Sequence, residues 1–409
     1  MENKKFDLNF KLVLTSKTIS VVGGNILGFA MILFLVDFTA SAALLGIVMA
    51  ISQIPTFFLT PFSGLLADRL NKKKLIVLFD ILTALSNFFF LWLLRTGTYS
   101  VFNITVLRMV KISITTFAAT VFNASVPRIV DEDQLVSANG ALQSIAAIGL
   151  IGGSVIGGIL FDVLGIELIS FASGVMFLIS AAISLQIKIP HVKQKAVDNI
   201  FRLVKTDMGD SFRFLKNEKP IIFKLSLISA TITFLFPPIF TVGLPTVVSL
   251  LFDQPVTLPF AIAALGMLLG GILAGTLKRA LEIRHLAKWV VMIGGTGVIL
   301  AFIFSPLLTH QDVRFWAFSF TLALILFMFS LMGTSLGSFT QKEVPEHLLG
   351  KVNSLLGMIP LIIGPLGTMT VGFLIDAVEL PIFFSGVALI TWTAAFICRR
   401  ILRSDLKDG

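Results

Sequence analysis

Four ionisable side chains lie within or at the ends of long apolar stretches that otherwise carry almost no charge: Asp37, Asp80, Arg108 and Lys111. Charged groups are expensive in the core of a bilayer, and those that occur there mostly mark ion or substrate pathways. A carboxylate in such a place can couple transport to protons by alternating between its protonated and charged forms. We therefore take these four residues as candidates for coupling and charge recognition.

Each candidate also has a simpler interpretation. Asp37 closes the first apolar run at its outer end, and Asp80 lies about one turn inside the third run, where it could merely balance Arg69 or the neighbouring lysines. Arg108 precedes Lys111 by one turn on the same helix face. Its long side chain could instead reach the membrane surface.

The other acids and the histidines offer no catalytic grouping. Four acids flank the outer ends of apolar runs and are interpreted as solvated: Asp162, Glu167, Asp376 and Glu379. The four histidines are scattered over loops or span ends without metal-ligand spacing: His191, His285, His310 and His347. No phosphate-binding glycine-lysine motif occurs either. The sequence therefore predicts neither an enzyme, nor a metal site, nor an ATP-driven pump.

Composition identifies the solvent that these residues meet. The chain has 409 residues, of which 56% are hydrophobic and 13% charged, and a mean hydropathy of +0.95. Ordinary globular domains carry about 25% charged residues. Long continuous apolar runs span a bilayer as helices, whereas barrel strands would alternate. The one cysteine, Cys398, leaves no intrachain disulfide.

Charged or turn-rich breaks predict about twelve spans: 18–36, 42–66, 75–94, 99–122, 138–161, 165–187, 221–245, 257–277, 289–308, 315–339, 352–375 and 380–398. The longest polar insert follows the sixth span, so we expect six-helix bundles at 1–187 and 221–409 around a linker at 188–220. Within that linker, 197–216 has the spacing of an amphipathic helix on the cytoplasmic membrane face.

With a cytoplasmic amino terminus, the inside segments hold 27 of the 32 Lys and Arg residues. This bias predicts that both termini are cytoplasmic. Membrane topology then accounts for the net charge of +9, and no nucleic-acid partner is expected.

An internal repeat supports the six-plus-six division. Residues 132–162 align without gaps on 346–376, with ten identities in 31 positions. The informative pairs are polar or glycine: Asn139 with Asn353, Gly153 with Gly367, Gly158 with Gly372, and Asp162 with Asp376. Duplicated halves of this kind are common in secondary transporters. The predicted fold class is thus an all-α membrane protein with two pseudo-symmetric six-helix bundles.

The loop between spans two and three reads "GLLADRLNKKK" from Gly64 to Lys74. This stretch resembles the loop 2–3 signature of the major facilitator superfamily, with Asn71 in place of the second glycine. Within that superfamily the chain looks closest to the macrolide-efflux type of the drug:proton antiporter-3 group, on "NASVP" from Asn123, "DEDQLVSANGALQS" and "QKEVPEHLLGKVNSL". The resemblance covers essentially the whole chain.

The resemblance implies roles for particular residues. Asp68 would approach the positive amino-terminal end of span eleven, and the loop would latch the two halves on the cytoplasmic side through the motif Gly64, Asp68, Arg69, Lys72, Lys73 and Lys74. A basic inside loop that merely obeys topology is the simpler interpretation of the lysines. Lys111 falls at the position of the family's span-four arginine, which contacts substrate or responds to a proton site. Span five resembles the antiporter signature, with Ser154 in place of proline; its small residues also permit close helix packing: Gly149, Gly153, Ser154, Gly157 and Gly158.

The presumed cavity offers an apolar and weakly polar lining. The candidate substrate-binding residues are Asn25, Phe29, Thr116, Phe117, Thr233, Phe234, Phe236, Phe327 and Ser335. Pro237 and Pro238 should interrupt span seven and free carbonyls for the cavity. Such a lining suits a large amphipathic solute, including a cationic one, better than a sugar.

We therefore predict a secondary active transporter of a bacterial cell membrane. It would export a hydrophobic or amphipathic small molecule of the drug or macrolide type by alternating access and proton antiport. The proton gradient would replace any cofactor, anionic lipids would surround the chain, and it would act as a monomer. The alternatives are a siderophore or lysophospholipid carrier of the same fold, a non-transporting membrane sensor, and an embedded enzyme.

Overall fold

The computed structural model describes residues 7–131, 134–190, 209, 212–276 and 282–405. These residues form long helices joined by short connections. The helices are α1 Leu8–Thr39, α2 Ala42–Arg69, α3 Lys72–Thr96, α4 Val101–Ser125, α5 Leu135–Ser184, α6 Pro220–Pro238, α7 Leu244–Leu251, α8 Thr257–Thr276, α9 Leu286–Ile303, α10 Gln311–Glu343, α11 Glu346–Ala377 and α12 Leu380–Asp405.

Most of these helices are long enough to cross a bilayer. Among the described residues, eleven helical segments have the length and composition of membrane spans. One of them covers Ser137–Ser184, which is twice the usual length. Gly165 divides it, because its left-handed backbone (φ 71°) breaks the helical path. Counting both halves of α5 gives the predicted twelve spans, and the all-α membrane fold class is confirmed.

Short polar segments begin and end the helices. Asn71 precedes α3, and its side-chain oxygen accepts a hydrogen bond from the Lys74 N–H at 3.2 Å. Gly97 ends α3 in the left-handed conformation with φ 67°. Ser100 then caps α4 by accepting from the Asn103 N–H at 3.2 Å. These caps satisfy backbone groups that would otherwise lack partners at the helix ends.

The seventh span changes its helical geometry at the expected prolines. The regular helix α6 ends at Pro238, a wider π-helical turn occupies Ile239–Gly243, and α7 follows. Proline removes a backbone donor and clashes with the preceding turn. The interruption predicted from Pro237 and Pro238 is therefore present.

The chain divides into two compact units, Met1–Phe38 with Ile51–Ile200, and Thr39–Ala50 with Phe201–Gly409. In the first unit, α3 packs against α4 and α5, around a core that includes Phe10, Phe79 and Phe122. In the second unit, α8 packs on α10, α9 on α12, and α11 on α6, around an aromatic core that includes Phe315 and Phe384. The predicted division at 188–220 stays a prediction.

Most of the predicted amphipathic linker helix lies outside the described residues. Its last part is described as a helical segment that ends just before Glu218. There Phe214 and Leu215 are buried and pack with Ile222, Val344 and Val352 of the second unit. The end of the linker is thus anchored by apolar contacts.

The first residues of α2 belong to the second unit, where the carboxylate of Asp376 caps them. Asp376 accepts hydrogen bonds from the Ser41 hydroxyl at 2.6 Å and from the backbone N–H groups of Ala42 and Ala43 at 3.0 and 2.9 Å. A negative charge at this position also interacts favourably with the positive end of the helix dipole. Asp376 is exposed, as the interpretation of a solvated acid expects, and it also caps a helix amino terminus that the fold brings to it.

Replacing Asp376 with alanine should destabilise the protein by about 1 kcal/mol, because two backbone donors and one hydroxyl lose their acceptor. Asp376→Asn should lose less, since its amide oxygen can still accept. Thermal unfolding of the purified protein measures the effect. Asp253→Ala, which removes an exposed carboxylate of the same unit, is the control. Equal unfolding midpoints for Asp376→Ala and the control would contradict the capping role.

Candidate functional site

The first unit has a partly open cavity of about 400 Å³ that is lined by α1, α3, α4 and the second half of α5. The size lies within the usual range for small-molecule sites. Along α4 the lining positions are Arg108, Lys111, Ile112, Thr115, Ala118 and Ala119, and along α1 they run from Lys17 through Gly24 to Met31. Both sets follow the helical period, so one face of each helix borders the cavity.

A row of serines on α5 holds the helices around this cavity. Ser173, Ser180 and Ser184 share one helix face and are buried. Ser173 donates to the backbone oxygen of Gly23 on α1 at 2.9 Å and accepts from the Asn87 amide on α3 at 3.1 Å. In an apolar surrounding such bonds between helices replace the missing hydrophobic driving force.

The same row holds Asp80. The Ser180 hydroxyl donates to Oδ2 of Asp80 at 2.8 Å, and a bond of 2.9 Å joins the hydroxyls of Ser180 and Ser16. Ser16 in turn bonds to the Ser184 hydroxyl at 2.7 Å. Asp80 is buried, with 9% of its surface exposed, and yet lines the cavity. A hydroxyl thus holds the carboxylate of a residue that lines the cavity.

Lys17 is the charged neighbour of Asp80. Its ammonium lies 4.5 Å from the centre of the Phe122 ring and interacts electrostatically with Asp80. A cation above an aromatic face is stabilised by the ring quadrupole. Lys17 was not among the predicted site residues because it was counted with the basic amino terminus. The stripe of small and polar residues at helical spacing, Ser20, Gly24, Asn25 and Gly28, was the signal that could have placed it on the cavity face.

Arg108 and Lys111 contribute positive charge from α4. Both are partly buried and line the cavity one turn apart. One guanidinium N–H of Arg108 is directed at the sulfur of Met31, at 3.3 Å. A thioether is a weak acceptor. The structure therefore brings three of the four predicted charged candidates, Asp80, Arg108 and Lys111, to one cavity.

The fourth charged candidate lies elsewhere. Asp37 is exposed near the end of α1, where the charge of Asp162 acts on it. It does not line the cavity described above. Two acids that repel each other in this way form a separate cluster at the end of the helix.

Glycines of α5 set the distance between α5 and α1. A methyl group on Gly149 or Gly153 would collide with Val21 or Asn25, and one on Gly157 would lie 2.7 Å from the backbone oxygen of Ile26. In the second unit the repeat partner of Gly153, Gly367, lies in the same way against the backbone of Phe234 on α6. The duplicated glycines thus serve the same close approach in each unit. Ser154 and Gly158 lie in the same stretch of α5.

The predicted substrate-binding residues of the first unit lie partly outside the cavity lining. Asn25 lines it, and its amide donates to the Val21 carbonyl at 2.8 Å. Phe29 is buried, Phe117 stacks on Phe79 at 6.1 Å, and the Thr116 hydroxyl lies 3.4 Å from that of Thr56. Phe29, Thr116 and Phe117 are each next to a lining residue in the sequence. One step along a helix rotates the side chain by about 100°, so neighbouring residues point in different directions.

The second-unit candidates occupy the core or its edge. Phe236 and Ser335 are buried, with 1% of the surface of each exposed. Phe234 and Phe327 are partly buried and pack on the core cluster, and Thr233 is partly buried in α6. Their role in substrate binding stays a prediction.

The predicted gating motif is only partly described. The side chains of Gly64, Asp68 and Arg69 lie outside the described residues, although the helix α2 runs through them to Arg69. Lys72 is buried at the start of α3, Lys73 is partly buried, and Lys74 is exposed. The latch itself therefore remains a prediction.

Similarity to known proteins assigns the chain to a family. It matches the Major Facilitator Superfamily over residues 13–368 and belongs to that family. It is 26% identical to macrolide efflux protein A of Streptococcus pyogenes over 98% of either chain. The protein is accordingly a multi-pass membrane transporter and not an enzyme. Among the described residues, no group of three or more His, Cys, Asp or Glu side chains could hold a metal ion.

Solved structures share the fold at low identity. The nucleoside transporter NupG superposes with a TM-score of 0.70 at 16% identity, over 97% of this chain and 100% of that one. A bacterial homologue of the iron transporter ferroportin in its inward-facing state gives 0.69 at 17% identity, over 97% and 98%. At these identities the likeness establishes the fold alone.

Gly153→Ala should destabilise the protein by about 1–3 kcal/mol, because the added methyl overlaps Asn25 and forces α5 away from α1. The matched control is Gly152→Ala, since nothing lies within 4 Å of a methyl group there. The control should be neutral or slightly stabilising, because alanine favours helix over glycine. Thermal unfolding of both variants tests this, and equal losses would show that the close approach does not set the packing.

Proposed function

We propose that this transporter exports a hydrophobic or amphipathic small molecule of the macrolide type across a bacterial cell membrane, in exchange for protons. The observation that carries this proposal is the full-length similarity to macrolide efflux protein A. A cavity that combines a buried carboxylate with apolar side chains such as Val21, Ile112 and Phe177 is consistent with it. The excess of basic residues in the predicted inside segments supports cytoplasmic termini.

Asp80 is the proposed proton carrier. It is buried among helices of the first unit, accepts a hydrogen bond from the Ser180 hydroxyl, and lines the cavity. As the cavity opens to one side of the membrane and then the other, this carboxylate would take up and release a proton. Lys17 would stabilise its charged form, because the two groups interact electrostatically.

The proposed partners follow from the same picture. The substrate and protons pass through the cavity, and anionic lipids contact the basic inside segments. No cofactor other than the proton gradient is needed, and the six-helix bundles of one chain suffice as a monomer. Siderophores and lysophospholipids remain the alternative cargo, and direct comparison of labelled substrates separates them.

Asp80→Asn should abolish proton-driven transport in proteoliposomes, because an amide cannot exchange the proton. The assay imposes a proton gradient and follows a labelled macrolide, a siderophore and a lysophospholipid in parallel. Asp37→Asn tests the second candidate acid. Glu167→Gln is the control, since Glu167 is exposed and pairs with Arg95 at 3.4 Å away from the cavity.

The outcome is decisive in both directions. Loss of gradient-driven flux in Asp80→Asn, with flux retained in Glu167→Gln, supports the assignment. If Asp37→Asn and Asp80→Asn each transport like the wild type, proton coupling through these acids is wrong. If none of the labelled compounds moves in the wild type, the proposed cargo is wrong.

A further inference from the structure

Helix α2 carries exposed polar side chains in the part that belongs to the first unit. Gln53 and Thr60 are exposed, and Thr56 between them is half-buried. Their spacing of three and four residues puts them on one face of the helix. The helix is long and apolar enough to span a membrane. An exposed polar face is unusual on such a helix, because polar groups are expensive in the bilayer core.

A second exposed face of α2 is apolar. Ile51, Ile54 and Phe58 are exposed, with 60% of the Phe58 surface accessible. Because each residue turns the helix by about 100°, these side chains lie about 100–160° around the axis from Gln53. Lipid is a favourable neighbour for the apolar face. The polar face therefore requires a different neighbour, which is water or a polar ligand.

Gln53 is the side chain of this face that lipid would satisfy least. It follows Ala42, the first residue of α2, by eleven positions, which is about 16 Å along the helix axis. This depth is near the middle of a hydrocarbon core of about 30 Å. Among the described residues, the one hydrogen bond to its side chain comes from the Thr56 hydroxyl, which lies 3.5 Å from Oε1. The amide N–H groups have no acceptor there, and leaving them without one in hydrocarbon is costly.

Hydroxyl groups hold this part of α2 against α4. The Thr56 and Thr116 hydroxyls are 3.4 Å apart, and a bond of 2.8 Å joins the hydroxyls of Ser63 and Thr120. Thr116 follows Thr115, which is exposed and lines the cavity of the first unit. Polar side chains thus lead from the cavity across α4 to the exposed polar face of α2.

We infer that Gln53 contacts the cargo and that its amide donates a hydrogen bond to an uncharged oxygen, such as a carbonyl, ether or hydroxyl oxygen. The Oε1 atom already accepts from Thr56, so the N–H groups are the part of the amide that needs a partner. A neutral amide and a neutral oxygen pair without leaving an unpaired charge near the midplane. Phe57, one turn along α2, is half-buried and offers apolar surface beside the amide.

The inference rests on the proposed function and deepens it, because it names a cargo contact and the chemical class of the group that is bound. Secondary transporters bind their substrates near the bilayer midplane, which is the depth of Gln53. The contact lies on α2, outside the charged cavity lining described above.

Reaction with a thiol reagent tests whether Gln53 faces water. Cys398, the one cysteine of the sequence, is buried and should give a low background. Gln53→Cys and the neighbouring Ile54→Cys are placed in phosphatidylcholine nanodiscs and labelled with a water-soluble methanethiosulfonate. Gln53→Cys should react about tenfold faster, because the reactive thiolate forms in water and is suppressed in apolar surroundings. Equal rates would overturn the inference.

Binding of a labelled macrolide to the same nanodiscs tests the contact. Gln53→Leu should weaken binding about two- to tenfold, because one hydrogen bond is lost. Gln53→Glu should weaken binding at least as much at about pH 8, since an ionised carboxylate keeps the size but has no N–H to donate. Ile54→Leu, on the apolar face, is the control and should bind like the wild type. Thermal unfolding of each variant establishes that it is folded.

The possible failures are distinct. Unchanged macrolide binding in Gln53→Leu would overturn the contact. Tighter binding in Gln53→Glu would overturn the assignment of an uncharged oxygen, because the cargo would then present a cation or a donor. If the wild type binds no labelled macrolide, siderophore or lysophospholipid, the proposed cargo is wrong, and the labelling rates still decide whether Gln53 lies on a polar path.

Discussion

The hydrogen bonds between the α5 serines and helices α1 and α3 fix three of the four helices that border the cavity. Ser173 joins Gly23 to Asn87, and Ser180 joins Ser16 to Asp80. In lipid, apolar side chains gain little by leaving the surrounding chains for one another, so polar bonds and close backbone contact must fix the helices. Because Asp80 is itself one of the bonded groups, the same bonds that hold the bundle also fix the acid beside Lys17.

The glycine contacts act with these serines and are duplicated along the chain. Gly153 lets α5 reach Asn25 on α1, and its repeat partner Gly367 lets α11 reach Phe234 on α6. The serine row belongs to the first unit, and the acid and the three cations are also there. The glycine contact between helices therefore occurs in both units, whereas the charged cavity described here belongs to the first unit. The Pro237 and Pro238 interruption of the seventh span has no counterpart in α1, which runs unbroken from Leu8 to Thr39.

The fold class was predictable from sequence because bilayer physics leaves few choices. An apolar run must become a helix, and a charge inside it must face protein or a cavity. This rule made Asp80, Arg108 and Lys111 candidates, and in the structure all three line one cavity. Positions that depend on helix rotation were not predictable in the same way. Thr116 and Phe117 were chosen on α4, whereas the cavity face passes through Thr115 and Ala118. The rotation of a helix about its own axis depends on the helices that pack against it, and a single sequence does not show which helices those are.

Contacts that are distant in sequence explain the remaining differences. Lys17 was assigned to the amino-terminal charge because the predicted first span began at residue 18, whereas α1 begins at Leu8 and carries Lys17 into the bundle. The capping role of Asp376 was not predicted because the helix end that it caps, the first turn of α2, lies more than 300 residues earlier in the chain. In both cases the side chain is ordinary in type and position, and its role arises from an element brought to it by the fold.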